Sequence, residues 1–321
     1  MTHTLITGAT GLVGSELAER LRSTGPARRL FLCARPGELG RADPTGIGEI
    51  VHCAADTRFD RPREEAMAAN AGGTRAVLDF AHRCPRLKRV VHVSTAFVCG
   101  RREGVIPEAP LEPGHQFVNT YQESKYEAER LVIAEMPRLP VSIVRISSII
   151  GDSRTGEVRR INHVHQLLKL VTRAPLPVMP YRGEAPVDLV PLDWVTESLA
   201  RILDGLEPGR VYHLCAGQGH SLALEALLDL LPALFAPRAV VYPRRVSLKE
   251  YDQFAAGAST ALQKEVIRVL GYFLPHLGMN QVFAVDRTHP LTGTPPDPRL
   301  TLERVVRYSI AANWGRRDSC C

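Results

Sequence analysis

Short apolar runs alternate with longer segments whose apolar residues recur at helical spacing, and this alternation predicts the architecture. His3–Thr7 reads as a strand, and Gly14–Arg22 as a helix with Leu17, Ala18 and Leu21 on one face. Arg29–Ala34 and Glu49–Ala54 read as further strands, and Glu64–Cys84 as a helix that Pro85 helps to end. Arg89–Ser94 follows as a strand, Tyr121–Met136 as a long helix, Val141–Ile146 as a strand, and Val211–Cys215 as one more strand returning to the same sheet. The pattern predicts an α/β fold with a Rossmann-type, doubly wound parallel sheet.

The remainder reads differently. Residues 156–187 are rich in Pro, His and Arg, and residues 216–321 read as helices joined by Pro-bearing loops. The expected organisation is a Rossmann domain over 1–155, rejoined by 188–215, with a smaller, mostly helical lobe from 156–187 and 216–321. Such a lobe would cover the carboxyl ends of the strands, where open α/β sheets bind ligands. Between Arg35 and Glu49 only about a dozen residues remain, and they include Pro36, Gly37, Gly40, Pro44, Gly46 and Gly48. That is too few for a helix, a strand and another helix, although extended they reach roughly 40 Å. The sheet is therefore expected to lack one edge strand usual in this fold.

Composition narrows the function classes. The chain has 321 residues and a net charge of +6, carried mostly by scattered Arg. No Lys/Arg tract with interleaved aromatics appears, so nucleic-acid binding is not expected. The seven Cys show neither metal-ligand nor disulfide-framework spacing, and the terminal Cys320-Cys321 reads as a frayed tail. His163 and His165 are two apart and fall on different sides of a helix, so they make no metal pair, and no metal is expected. Neither a signal peptide nor an uncharged stretch of membrane-spanning length is visible; a cytoplasmic protein without membrane insertion is expected.

Gly8, Gly11 and Gly14 follow a strand and open a helix. In that context they form a dinucleotide-phosphate site, with Thr10, Leu12 and Val13 in the same turn. Arg35 ends the second strand, where an acidic residue would bind the ribose of NAD; an Arg there suits the 2′-phosphate of NADP. Ala54 and Ala55 are small enough to let a cofactor pass close to the backbone, and Ser94 and Ser147 complete the cofactor-contacting set. Asn70 and Thr74 are polar groups inside an apolar helix, suited equally to core hydrogen bonds with neighbouring backbone and to a direct catalytic role. Tyr121 and Lys125 stand four apart on one helix, so a phenol and an ammonium share a face and form a proton-donating unit. His213 reads as a core histidine, Asp188 and Asp193 as braces at the lobe boundary, and Tyr181, Arg182, Tyr272 and His276 as candidates for a substrate pocket.

Thr7-Gly-Ala-Thr-Gly-Leu-Val-Gly14, His92-Val-Ser-Thr-Ala-Phe-Val98 and the Tyr121/Lys125 motif together resemble the extended short-chain dehydrogenase/reductases. Gly151-Asp-Ser-Arg-Thr-Gly156 and Val187-Asp-Leu-Val-Pro-Leu-Asp-Trp194 resemble the thioester-reductase-like branch, which includes carboxylic acid reductase domains and is related to fatty acyl-CoA reductases. The resemblance implies that Tyr121 donates the proton, that Lys125 holds the nicotinamide ribose and lowers the Tyr pKa, and that Thr95 bonds the substrate oxygen, with Ser94 as the alternative. It also implies an NADPH-dependent reduction of an acyl thioester, carried by a separate carrier protein or by CoA, to an aldehyde or on to the alcohol. A dehydrogenase or epimerase/dehydratase acting on an alcohol, ketone or nucleotide sugar is the alternative, and a non-catalytic cofactor sensor a third. The sequence departs from the branch at Ile146, where Pro usually follows the Arg, and in the shortened stretch after Arg35.

Overall fold

The Val- and Ile-rich runs pair as a six-stranded sheet in the computed structural model, which describes residues 3–23, 29–34, 36–173, 178–205, 207–236, 244–271 and 278–315. Across the sheet the strands run Val211–Leu214, Val141–Ile146, Arg89–Thr95, Ile47–His52, His3–Thr7 and Arg29–Cys33. Every pairing is parallel. Strands of a parallel sheet are covered on both faces, which is why Val141–Ile146 is buried along its whole length. The strand order reverses beside His3–Thr7, and that switch point opens a crevice at the carboxyl ends.

The shortened stretch has the predicted consequence. Among the described residues, Arg29–Cys33 pairs only with His3–Thr7 and forms the sheet edge. The chain crosses back through two short 3-10 turns, Pro36–Arg41 and Pro44–Gly46, directly into Ile47–His52. Leu39 and Ala42 of that crossing are buried in the same apolar cluster as Ile50, Val77 and Phe80, so the connection itself caps the core.

Helix boundaries differ by a few residues from the periodicity. The first helix is Leu12–Ser23, starting within the glycine turn, and the helix carrying Tyr121 and Lys125 is Thr120–Glu135. The segment expected as one helix over 64–84 is Arg63–Met67, a π-helical turn Ala68–Gly72, and Gly73–Ala81. The C-terminal part is not purely helical. Gln281–Phe283 pairs with Gly104–Ile106, Arg244–Val246 with Val178–Pro180, and Leu222–Ala223 with Pro186–Val187. The long helices Leu224–Phe235 and Pro298–Ala311 pack in a separate apolar cluster around Leu231, Phe235, Leu302 and Val306.

A fully buried ion pair ties the Thr120–Glu135 helix to the sheet. Arg145 Nε and Nη2 donate to Glu129 at 3.0 and 2.8 Å, and both side chains are inaccessible. His213 is the satisfied core residue expected: its ring bonds the Ala284 carbonyl at 2.8 Å and lies 3.3 Å from Arg145 Nη1. Removing one partner of a buried pair leaves an uncompensated charge, so Glu129→Ala is expected to lower stability by about 3–5 kcal/mol in urea unfolding. A loss below about 1 kcal/mol would show that water reaches the pair.

Candidate active site

The three glycines are explained by backbone crowding at the switch point. Gly8 has φ +67°, and a Cβ there would lie 2.6 Å from the Ala54 nitrogen, so the turn is pressed against the end of the Ile47–His52 strand. A Cβ on Gly14 would lie 2.3 Å from the Gly8 carbonyl oxygen, and the Gly11 N–H donates to that oxygen at 2.8 Å. The turn therefore folds against itself and leaves the helix N-terminus facing the crevice, with no acidic residue in the first turn. Gly14→Ala should cost about 1–3 kcal/mol from overpacking and weaken dinucleotide affinity, as read by thermal unfolding and cofactor titration. Retained affinity would sever the glycine packing from the binding geometry.

A cavity of about 690 Å³ runs from this turn into the C-terminal part, within the size range of small-molecule sites. Gly11, Leu12, Val13, Gly14, Ala55, Ser94, Thr95, Tyr121, Lys125 and Ser147 all line it. Gly8, Thr10 and Ala54 do not; Gly8 and Ala54 shape the wall from behind. Arg35 lies outside the described residues, as do Tyr272 and His276. Tyr181 and Arg182 do not line the cavity: Arg245 packs over the Tyr181 ring, and Arg182 pairs with Glu103. Asp188 and Asp193 brace as expected. Asp188 accepts from the Ala216 and Gly217 N–H groups at 2.8 and 3.0 Å, and Asp193 accepts from Ser153 N–H and Oγ.

Tyr121 sits in the first turn of a helix capped by Asn119, whose side chain accepts from the Gln122 N–H at 3.0 Å. Burial pushes the Tyr121 phenol up to about 12, against a side-chain hydrogen bond with Thr95 that acts in the other direction. Thr95 ends its strand by accepting from the Phe97 N–H at 3.3 Å, and it lines the cavity. Lys125 reaches back to the strand beneath it. Its Nζ donates to the Val93 carbonyl at 2.9 Å and lies 3.5 Å from His92 Nε2. Burial brings the Lys125 ammonium down to about 8. The hydrogen bond with Thr95 thus favours the phenolate.

Beneath these groups lies a polar row that periodicity alone did not reveal. His52 and His92 are cross-strand neighbours with ring centroids 5.3 Å apart. Thr74 spends its hydroxyl proton on the Asn70 carbonyl at 2.8 Å, so the His52 Nε2 at 3.0 Å is the donor to Thr74, and His52 Nδ1 accepts from Thr7 at 2.7 Å. Asn70, in the π-helical turn, accepts from the Asp56 N–H and donates to Ser124 Oγ at 2.8 Å. Ser124 in turn donates to the Tyr121 carbonyl at 3.0 Å, so Asn70 fixes the backbone that carries Tyr121. The signal for this role was the polar Asn before Gly72-Gly73 in an apolar helix; the π-turn itself was not legible.

The site fits a dinucleotide on two counts. The helix N-terminus opens into the cavity, and the buried Ser94 Oγ that lines it has no hydrogen-bond partner among the described residues. Bound there, a nicotinamide dinucleotide would supply a hydride, with Gly11–Gly14 and Ser94 among the residues placed to hold it. Among the described residues, no group of three or more His, Cys, Asp or Glu could hold a metal, and no helix is long and apolar enough to cross a membrane.

A family model described as male sterility protein, an NAD-binding family, matches residues 45–199. The alcohol-forming fatty acyl-CoA reductase of Simmondsia chinensis is 26% identical over 226 residues, covering 65% of this chain and 45% of that protein. The chain thus spans about half the length of this curated relative. The crystal structure of the terminal R domain from the myxalamid PKS-NRPS biosynthetic pathway superposes with a TM-score of 0.79 at 24% identity, covering 98% of this chain and 92% of that one. A thiolation-reductase di-domain from an archaeal non-ribosomal peptide synthetase superposes with a TM-score of 0.73 at 19% identity, over 98% and 76%.

Proposed function

We propose that this chain is an extended short-chain dehydrogenase/reductase of the thioester-reductase-like branch and that it reduces an acyl thioester with NADPH, a reading supported by the family model, the fatty acyl-CoA reductase relative and the shared fold. The observation that carries the reading is convergence: Thr95, Tyr121 and the Gly11–Gly14 turn face one cavity at the carboxyl ends of parallel strands. The bound nicotinamide would supply the hydride to the thioester carbonyl carbon. Tyr121 then gives its proton to the oxygen, and Thr95 bonds that oxygen as charge develops on it. Lys125, fixed on the Val93 carbonyl, is the cation placed to hold the ribose. The product of this step is a hemithioacetal, which loses its thiol to leave an aldehyde or, after a second round, the alcohol. Preference for NADPH rests on Arg35 in the sequence. The acyl group would arrive on CoA or on a separate carrier protein, in keeping with the named activity of the Simmondsia chinensis relative and the thiolation domain of the archaeal di-domain. A cytoplasmic setting fits such soluble substrates.

The test is to incubate the purified chain with NADPH or NADH and a series of acyl-CoA and acyl-pantetheine thioesters, following absorbance loss with aldehyde trapping. Thioester-dependent oxidation of NADPH is the expected result. Oxidation by ketones alone would favour the alcohol or ketone dehydrogenase reading. Absent cofactor binding in a fluorescence titration would undo both.

A further inference from the structure

Collapse of a hemithioacetal needs two proton movements, and Tyr121 can serve only one. Its phenolate, having protonated the oxygen, takes that proton back as the carbonyl re-forms. The departing sulfur belongs to an alkyl thiol with a pKa of about 8.5 in water, and an unprotonated thiolate is costly in a cavity walled largely by apolar side chains. A second acid near the sulfur would lower that cost.

We propose that His163 is that acid, an inference that rests on the thioester-reductase reading. His163 lines the cavity, and its Nε2 lies 3.3 Å from Ser148 Oγ, also a lining atom set. Its ring packs on Phe59 with centroids 5.4 Å apart, and Tyr121 packs on the same Phe59 at 5.7 Å. Both proton-bearing rings thus pack on one aromatic side chain and line the same cavity. Lys125 is fixed on the Val93 carbonyl, Asp188 accepts two backbone N–H groups, and burial pushes the Cys53 thiol up to about 12. His163 is the one histidine among the cavity's described residues, and an imidazole ordinarily changes charge near neutrality. The charged side chains lining the cavity are Arg58, Asp60, Lys125, Arg160, Asp188 and Arg268. In the step, the C–S bond breaks and the C=O bond forms. The hydroxyl proton goes to the Tyr121 phenolate, the imidazolium proton goes to sulfur, and His163 regains a proton from solvent. The sum is thioester, NADPH and one proton giving aldehyde, NADP⁺ and thiol.

The experiment compares wild type, His163→Gln and His163→Ala on octanoyl-CoA and on S-phenyl thiooctanoate, whose aryl thiolate leaves without a proton. Both variants should lose about 100-fold in kcat on octanoyl-CoA and less than about 3-fold on the phenyl ester. The wild-type rate on octanoyl-CoA should fall as pH rises through the histidine range, and the variants should lack that limb. NADPH affinity should be unchanged. Equal losses on both esters, or an unchanged pH profile, would overturn the assignment alone. Failure of the wild type to reduce any thioester would overturn it together with the reading it rests on.

Discussion

Tyr121→Phe is expected to lower thioester-dependent NADPH oxidation by about 10²–10⁴-fold while leaving NADPH affinity within about 2-fold of wild type. In the proposed reaction the phenol donates the proton to the carbonyl oxygen, and the Phe ring keeps the packing against Phe59. What is lost is the acidic O–H and its bond to Thr95. Because Thr95 is the neighbour that favours the phenolate, Thr95→Val should also slow the reaction, and it should raise the pH at which Tyr121 ionises. An unchanged rate in Tyr121→Phe, measured by NADPH absorbance at saturating substrate, would remove Tyr121 from the chemistry. Loss of NADPH binding in the same variant would mean that its effect is on the cofactor pocket.

The second large effect concerns acid. Burial holds His52 and His213 near about 3 and His165 near about 4, and it holds His92 well below the ordinary histidine value. All four rings are neutral in the folded chain. The unfolded chain binds protons on them from about pH 6.5 downward, and the folded chain cannot follow until the pH reaches the depressed values. Their contribution to stability is therefore complete above about pH 6.5 and drains away as pH falls toward 3–4. At about 1.4 kcal/mol per pH unit for each ring, pH 5 costs about 2 kcal/mol per histidine. Several kcal/mol is a large part of an ordinary domain's 5–15 kcal/mol. The urea midpoint should drop steeply between pH 7 and 5, and His213→Asn, remote from Tyr121, should remove about a quarter of that slope relative to its own pH 7 value. A midpoint flat over this range would show that the rings take up protons in the folded state.

The order of strands and helices was legible along the chain, because periods of 2 and 3.6 record which faces are buried. So was the loss of the edge strand, since a dozen turn-forming residues cannot hold three elements, and so was the choice of Gly8, Gly11, Gly14, Thr95, Tyr121 and Lys125 as residues that share one cavity wall or shape it. Two things were decided only by tertiary structure. One is the environment of Lys125. Spacing along a helix puts it beside Tyr121, but the strand beneath offers the Val93 carbonyl and His92, and a desolvated ammonium takes the nearest acceptor. The other is the polar row of Thr7, His52, Thr74, Asn70 and Ser124 that seats the Tyr121 backbone, together with the placing of His163 on Phe59. These residues lie far apart in the chain. Their hydrogen bonds exist only once parallel pairing sets the strands in register and the π-turn aims Asn70 inward, so no local pattern could encode them.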